Sequence, residues 1–321
     1  MGVTTSRAGG PVKTLVLGCM ASGKSTFMKQ MLRLHGRNGM VLRREYYVYC
    51  MQLNLLKIMI ELRKVCQGFE IDVKQYEKEF DEICTYKHRE GFSEKVIAAI
   101  KVLKNAGLVE ACKKKQRIIP LPANYNYFLL RFEDIVSEGY VPTEADILMS
   151  YSETVGHNAE TVYCQSIMFE MIEMPGHHIW RDRWPQFYEN TDLVIFVIDL
   201  AELCDPAFYR GHLENKTVKV FTELVNHPML QQVSWMLLFN KVDTFNDHSA
   251  GFDFKKLASH LDTAESARTF YRSQFTTIVP KEKSYVHMVS LVNNRESQSV
   301  ISELFRKVSR AHRERERQQP M

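Results

Sequence analysis

The chain has 321 residues, 45% of them hydrophobic and 25% charged, which is typical of a globular protein large enough for two domains. Its formal net charge of +4 is too small to indicate nucleic-acid binding. The seven cysteines form no C-x-x-C pair, which argues against disulfides and structural zinc and indicates a reducing, cytoplasmic compartment. No apolar run is long enough to span a membrane, and no secretory signal is evident.

The first six residues, MGVTTS, match the N-myristoylation pattern M-G-x-x-x-[ST], with Gly2 as the acceptor. A single acyl chain gives weak, reversible membrane binding, and only Arg7 and Lys13 are basic nearby. The pattern leaves two alternatives open, namely peripheral attachment to the inner face of the plasma membrane and a fully cytoplasmic protein.

Residues Gly18 to Ser25, GCMASGKS, match the phosphate-binding loop G-x-x-x-x-G-K-[ST]. The apolar run KTLVLG before the loop predicts a buried strand, and TFMKQMLRLH after it has apolar residues at helical spacing. Backbone N–H groups in such a loop favour anions, so an ordinary glycine turn is the weaker interpretation. We expect Lys24 to reach the β- and γ-phosphates of a nucleotide and the Ser25 hydroxyl to bind Mg²⁺.

The segment 41–140 has helical periodicity and little strand signal. The longest predicted helix is RREYYVYCMQLNLLKIMIELRKVC, and shorter ones cover EKEFDEICTYKH, SEKVIAAIKVLKNAG and NYFLLRFEDIVSEG. Lys113 to Lys115 begin a connector and are interpreted as a solvent-exposed helix end rather than a binding patch.

After Pro142, short apolar strands alternate with helices again. The predicted strands are TVYCQS, SIMFEMIEM, LVIFVIDL, SWMLLFN and YVHMVSL, and the predicted helices include WRDRWPQFYEN, FKKLASHL, AESARTFYRSQF and SVISELFRKVSRAHRERER. This alternation predicts an α/β fold with a largely parallel, doubly wound sheet. The simplest architecture is an α/β domain formed by 1–36 and 146–321, interrupted by an all-helical domain at 37–145.

Two further segments follow predicted strand ends. NKVD at 240–243 comes directly after SWMLLF, and the carboxylate of Asp243 can accept two hydrogen bonds from a guanine edge that adenine lacks. Ligands of such sheets bind at the carboxyl ends of the strands, where the phosphate-binding loop also lies. The second segment, EMPG at 173–176, taken alone favours an ordinary Pro-Gly turn.

Together these motifs resemble the α-subunit of heterotrimeric G proteins, a Ras-like GTPase with a P-loop NTPase fold, a mostly parallel six-stranded sheet and an inserted all-helical domain. The resemblance runs from the phosphate-binding loop to the C-terminal helix. GYVPTEADIL at 139–148 resembles the family's hinge into switch I, and Trp184 and NKVD lie at the expected intervals. The resemblance implies a signal-transduction switch that binds GTP or GDP with Mg²⁺ and hydrolyses GTP.

The same resemblance implies roles for individual residues. Ser25 and Thr154 would hold Mg²⁺, and the backbone N–H of Leu291 would meet guanine O6, although leucine adds bulk beside the base where the family has alanine. The nucleotide site would comprise Gly18, Cys19, Met20, Ala21, Ser22, Gly23, Lys24, Ser25, Thr26, Leu148, Tyr151, Thr154, Glu173, Gly176, Asn240, Lys241, Asp243 and Leu291. Lys24 and His177 are the candidate catalytic residues.

The chain departs from the family at positions that concern hydrolysis. The family loop reads G-A-G-E-S-G-K-S, but Met20 and Ala21 stand at its third and fourth positions here. Tyr151 replaces the catalytic arginine of switch I, where it is interpreted as a cover on the nucleotide, and His177 replaces the water-orienting glutamine. We therefore expect slow hydrolysis of GTP. His177 either orients water through a neutral ring nitrogen or is a polar residue at a helix start.

Other departures concern partners. The segment before Gly18 is shorter than the N-terminal helix by which family members dock the βγ dimer, and RAHRERERQQPM lacks the apolar receptor-binding end. We expect weakened βγ and receptor contacts, with an effector and guanine nucleotide as the remaining partners and no nucleic acid. Two alternatives remain open: a nucleotide-independent pseudo-GTPase scaffold, and an ATP-dependent P-loop enzyme that NKVD disfavours.

Overall fold

The computed structural model describes residues 10–36, 44–87, 91–154, 156–205 and 216–318. The predicted acyl acceptor Gly2 lies outside the described residues. By its internal contacts the chain divides into a larger unit, 1–40 with 153–321, and a smaller unit, 41–152. Among the described residues, no helix combines the length and apolarity that crossing a bilayer requires.

The larger unit is built on a six-stranded sheet. Its strands are β1 (Val12–Leu17), β2 (Asn158–Cys164), β3 (Ile167–Glu173), β4 (Leu193–Asp199), β5 (Ser234–Asn240) and β6 (Ser284–Met288). Their order in the sheet is β2-β3-β1-β4-β5-β6. Only β2 pairs antiparallel, with β3; the other pairs are parallel. The sheet confirms the predicted α/β class, because continuous apolar runs such as LVIFVID are buried on both faces.

Helices account for most of the remaining described residues. In chain order they are α1 (Lys24–His35), α2 (Arg44–Gly68), α3 (Glu77–Thr85), α4 (Glu94–Asn105), α5 (Leu108–Lys115), α6 (Tyr125–Leu130), α7 (Phe132–Ile135), α8 (Glu144–Met149), α9 (Lys216–Val225), α10 (Val242–Ser249), α11 (Ala264–Thr276) and α12 (Asn294–Gln318).

Each unit has its own apolar core. In the larger unit, α1 and α12 pack on the sheet, and the rings of Phe169 on β3 and Phe305 on α12 meet edge to face with centroids 4.4 Å apart. In the smaller unit, α2 supplies a long buried face, and Phe80, Phe128 and Phe132 are fully buried around it. Burial of such side chains contributes about 1.5–3 kcal/mol each.

The helix α8 lies in the smaller unit, although the sequence analysis assigned residues from 146 onwards to the α/β domain. The reason is the buried carboxylate of Asp146, which accepts hydrogen bonds from Tyr127, Arg131 and Tyr140 of the smaller unit.

Two predicted helices are 3₁₀ rather than α-helical, and the second is shorter than predicted. WRDRWPQFYEN lies largely in a 3₁₀ helix at His178–Phe187, because Pro185 has no backbone N–H to continue an α-helical ladder. In FKKLASHL only Phe254–Lys256 is helical, again as a 3₁₀ turn, which begins after the side chain of Asp253 caps the N–H of Lys255.

Candidate functional site

The predicted phosphate-binding loop lies between the end of β1 and the start of α1. Gly23 has φ 106° at the N-terminus of α1, and a Cβ atom there would lie 2.1 Å from Nδ2 of Asn240, so this position requires glycine. Ala21 has φ 60°, a left-handed conformation, and both it and Met20 are exposed. Ser22 is buried, and its Oγ has no hydrogen-bond partner among the described residues. The loop therefore has the backbone geometry of an anion-binding turn.

Lys24 is buried beneath the loop. Its Nζ donates to the carbonyl oxygens of Gly18 at 3.2 Å and Cys19 at 2.8 Å. Burial lowers the pKa of Lys24 to about 8, although the charge of Glu173 opposes the shift. Gly176 lies directly against this group, since a Cβ there would be 2.5 Å from Nζ and 2.6 Å from the carbonyl of Cys19. The segment after β3 thus contacts the loop through a residue that has no side chain.

Three oxygen-bearing side chains meet beside the start of α1. Oγ of Ser25 donates to Oε1 of Glu173 and lies 3.3 Å from Oγ1 of Thr154, and Oγ1 of Thr154 is also 3.3 Å from Oε1 of Glu173. Thr26 follows Ser25 on the same helix. Two hydroxyls and a carboxylate are hard oxygen donors, and such a set fits Mg²⁺, which takes few protein ligands and keeps water and phosphate oxygens for the rest of its shell. Glu173 belongs to this cluster, whereas the sequence analysis placed only Ser25 and Thr154 at the metal.

Asn240 connects the phosphate-binding loop to the segment after β6. Its Nδ2 donates to the carbonyl of Ser22 at 2.9 Å, and its Oδ1 accepts the backbone N–H of Leu291 at 3.0 Å. The carbonyl of Leu291 accepts Nε2 of Gln30 on α1 at 2.8 Å. The N–H that the resemblance directs toward guanine O6 therefore has a partner within the chain, and the Leu291 side chain is buried.

Lys241 and Asp243 follow Asn240 at the start of α10. Lys241 has φ 64°, and its ammonium group pairs with the carboxylate of Asp199 at the end of β4. Asp243 is exposed in the first turn of α10. The residues of NKVD thus divide into a buried amide that fixes the loop, a paired ammonium group, and an exposed carboxylate.

His177 is the N-cap residue of the 3₁₀ helix at His178–Phe187. Its Nδ1 accepts the backbone N–H of Ile179 at 3.5 Å, and its ring lies 4.4 Å from the ring of His178. Further along, Arg181 donates from Nη2 to Sγ of Cys19 and to the carbonyl of Gly176, both at 3.4 Å. The imidazole of His177 therefore acts as a helix cap, while the guanidinium group of Arg181 contacts the loop.

Leu148 and Tyr151 belong to the smaller unit. Leu148 is buried on α8. The backbone of Tyr151 makes two hydrogen bonds with the side chain of Asn54 on α2, and the ammonium group of Lys57 lies 5.3 Å from the centre of the Tyr151 ring. A cation thus accompanies the tyrosine that stands where the family has its catalytic arginine.

Comparison with known proteins agrees with these motifs. The sequence profile of the G-protein alpha subunit family matches residues 3–308. The chain belongs to this family. Guanine nucleotide-binding protein subunit alpha-15 of Homo sapiens is 26% identical over 280 residues, which cover 83% of this chain and 74% of the human protein. The chain is thus a divergent α-subunit, and the resemblance found in the sequence is confirmed.

Membership of this family indicates the general activity of the protein. G-protein alpha subunits bind guanine nucleotides with Mg²⁺, hydrolyse GTP in signal transduction and typically interact with βγ dimers, receptors and effectors. The oxygen cluster at Ser25, the buried ammonium group of Lys24 and the unpaired hydroxyl of Ser22 fit such a ligand.

Sequence reasoning missed several side chains that the structure links to the candidate site residues. Glu202 is one: its carboxylate accepts hydrogen bonds from Tyr271 and Thr217, and Thr217 also contacts Sγ of Cys19 at 3.4 Å. Burial raises the pKa of Glu202 to about 7. Asp199 had a signal, since it ends the apolar strand LVIFVID at the ligand-binding edge of a parallel sheet. Arg181 and Glu202 lie in the 3₁₀ helices His178–Phe187 and Leu200–Cys204, where no long apolar periodicity indicates which side chains face the loop.

Proposed function

We propose that this α-subunit binds GTP and GDP with Mg²⁺ and hydrolyses GTP slowly. The observation that carries the proposal is the meeting of Ser25, Thr154 and Glu173 beside Lys24. In the proposal, Ser25 and Thr154 hold Mg²⁺, Lys24 neutralises the phosphates, and Asp243 selects guanine. The metal supplies charge neutralisation on the phosphate oxygens, and the residues of the chain orient the nucleotide.

Slow hydrolysis is supported by what replaces the groups that catalyse the reaction in the family. Tyr151 cannot supply the positive charge of the arginine, and Ala21 cannot pair with one. The Nδ1 of His177 is engaged by the N–H of Ile179, which leaves only Nε2 to orient water. Gα proteins with an arginine in cis turn over at about 10⁻² s⁻¹, against about 3–5 × 10⁻⁴ s⁻¹ for a Ras-type site without it; both are values for those families rather than for this chain.

Single-turnover hydrolysis of GTP tests the proposed rate. We expect about 10⁻³ s⁻¹ or less, with tight binding retained, and a rate near or above 10⁻² s⁻¹ would contradict it. The His177→Gln variant should be faster by about tenfold, on the order of 1.4 kcal/mol of barrier, because an amide can both accept from water and donate to phosphate. His178→Gln is the matched control, since His178 is exposed, and it should match the wild type.

The second candidate function is a pseudo-GTPase scaffold that binds no nucleotide. The hydrogen bond between the N–H of Leu291 and Oδ1 of Asn240 favours it, because that donor is already satisfied. Thermal denaturation with GTPγS, GDP or ATP, each with Mg²⁺, separates the candidates. A ligand at 1,000 times its dissociation constant should stabilise the protein by about 4 kcal/mol. Stabilisation by guanine nucleotides alone supports the switch, none supports the scaffold, and stabilisation by ATP alone supports an ATP-dependent enzyme.

Partners and location belong to the same proposal. Family membership supports an effector as a partner, together with weakened contacts to a βγ dimer and a receptor, and the MGVTTS pattern supports acylation of Gly2 and attachment to the inner face of the plasma membrane. Little or no co-purification of βγ with the GDP-loaded chain is the expected result. Stable retention of βγ in the GDP state would contradict this part of the proposal.

A further inference from the structure

A buried asparagine on α2 binds the chain just after α8. Nδ2 of Asn54 donates to the carbonyl of Tyr151 at 2.5 Å, and Oδ1 of Asn54 accepts the N–H of the same residue at 2.8 Å. A single side chain thus pairs with both backbone groups of Tyr151, as the edge of a neighbouring strand would. This arrangement holds the position and the direction of the chain at residue 151.

A second amide reinforces the first. Nδ2 of Asn124 donates to Oδ1 of Asn54 and to the carbonyl of Met149, both at 3.0 Å. The N–H of Ser150 is bonded to the carbonyl of Asp146 at the end of α8. Backbone groups of three successive residues, 149, 150 and 151, are therefore fixed. We call Asn54 and Asn124 together the amide clamp.

The amide clamp occupies a place where the core would otherwise take an apolar side chain. Asn54 is buried, and its neighbours Leu55 and Ile58 on α2 are fully buried in the core of the smaller unit. An amide at such a position is unfavourable unless its hydrogen bonds are made. All the bonds described for Asn54 go to Tyr151 and to Asn124. The role of the side chain is therefore to hold the segment that follows α8.

That segment leads directly to a proposed metal ligand. Thr154 follows Tyr151 by three residues, and its hydroxyl lies 3.3 Å from both Oγ of Ser25 and Oε1 of Glu173. Three residues of extended chain span about 10 Å, so fixing Tyr151 restricts the volume that Thr154 can sample. We propose that Asn54 is a positioning residue for Thr154, acting through the backbone of Tyr151; this rests on the proposed function, in which Thr154 binds Mg²⁺.

The test is the Mg²⁺ dependence of GTPγS dissociation from the full chain. Asn54→Leu keeps the branched shape of the side chain and removes the hydrogen bonds. We expect it to raise the half-saturating Mg²⁺ concentration at least tenfold, while GDP affinity in EDTA changes less than twofold. Asn54→Asp keeps an acceptor for the N–H of Tyr151 and should give an intermediate value. If Asn54→Leu does not fold, the aspartate variant decides, and a wild-type value for it overturns the proposal.

Two controls separate positioning from mere stability. Leu103→Ala opens a cavity in the same core and removes no hydrogen bond of the amide clamp, and it should lower the melting temperature without changing the Mg²⁺ dependence. Thr154→Ala should itself raise the Mg²⁺ requirement, and adding Asn54→Leu to it should change the value less than twofold, because the effect passes through Thr154. Additive effects would overturn the proposal.

The failure of this inference is distinguishable from failure of the proposed function. If the wild type does not bind GTPγS with Mg²⁺, the proposed function fails and the positioning role falls with it. If the wild type binds but Asn54→Leu keeps its Mg²⁺ dependence, only the positioning role is overturned.

Discussion

Asn240 connects the phosphate-binding loop to the segment after β6 through two hydrogen bonds. Its amide bonds the carbonyl of Ser22 and the N–H of Leu291, two backbone groups that are remote in sequence. Both bonds are buried, so neither backbone group has water as a substitute when the amide is removed.

We expect Asn240→Leu to destabilise the protein by about 2–4 kcal/mol, because two buried backbone groups lose their partners. Chemical denaturation of the nucleotide-free protein measures this. Asn246→Leu is the matched control, since Asn246 is exposed on α10, and it should change stability by less than about 0.5 kcal/mol. Equal stability of the two variants would show that the loop does not rely on the Asn240 amide.

The buried carboxyl group of Glu202 should make the stability of the protein depend on pH. Burial raises its pKa from 4.5 to about 7, against the hydrogen bonds from Tyr271 and Thr217. The folded state therefore binds more protons than the unfolded state between these values, so stability falls as the pH rises from about 4.5 to 7.

We expect this group to remove on the order of 3 kcal/mol of stability between pH 4.5 and pH 8. Glu202→Gln should flatten the pH dependence of the unfolding free energy over that range. Glu282→Gln, at an exposed position, should leave it unchanged. A Glu202→Gln profile that parallels the wild type would refute the prediction.

Among the elements, α8 is attached to its surroundings through hydrogen bonds at its first turn. Thr143 and Asp146 form a capping box, and the carboxylate of Asp146 also accepts from Tyr127, Tyr140 and Arg131. Burial would raise the pKa of Asp146, but the hydrogen bonds from Thr143, Tyr140 and Tyr127 outweigh it and lower the pKa to about 2. The ionised carboxylate therefore stabilises the fold above about pH 4, and this contribution disappears as the pH falls toward 2.

We expect Asp146→Asn to destabilise the smaller unit by about 3 kcal/mol at pH 7, because an amide cannot accept all these bonds and Arg131 loses its buried partner. Far-UV circular dichroism during urea denaturation measures the loss. Asp134→Asn breaks only an exposed pair with Arg131 and should cost less than about 1 kcal/mol. A similar cost for both would show that the capping network contributes nothing beyond a surface pair.

The sequence predicted the regular elements better than the irregular ones. The strand LVIFVID and the helix at 44–68 follow from hydrophobic runs and periodicity, which persist over many residues. The pattern predicts a helix at WRDRWPQFYEN but not its 3₁₀ form, because so short a stretch does not distinguish the two spacings until Pro185 is considered. The split of NYFLLRFEDI into α6 and α7 at Arg131 has no counterpart in the pattern of apolar residues.

At the scale of the whole molecule, the described residues of the smaller unit form an apolar core around α2, and those of the larger unit pack α1 and α12 on the sheet. The two clusters share no residue. We expect Leu103→Ala to cost about 2–5 kcal/mol in the smaller unit and to accelerate hydrogen exchange mainly within 44–87 and 91–152. Phe305→Ala should do the same for β1, β3 and α12. Uniform acceleration across both units in either variant would show that they unfold as one.

Residues of the candidate site could be predicted from the sequence only where they belong to a recognised motif. The fixed spacing of the motifs GKS and NKVD identifies Lys24, Ser25 and Asn240 from the sequence. The structure brings Ser25, Thr154 and Glu173 together from three separate segments. The amide clamp was not predictable, because a single asparagine in an apolar helix gives no indication of its partner. Its signal was present all the same, as one asparagine among the apolar residues of LNLLKIM.

The central strand of the larger unit has a consequence for synthesis of the protein. Val12 on β1 pairs with Phe169, and Thr14 pairs with Leu193, so both neighbours of β1 leave the ribosome only after the whole smaller unit. During translation the smaller unit can form its core before β3 and β4 are synthesised, and β1 remains an unpaired apolar strand until then. Such a segment is prone to aggregation, and we expect nascent chains shorter than about 170 residues to depend on chaperones that shield their first strand.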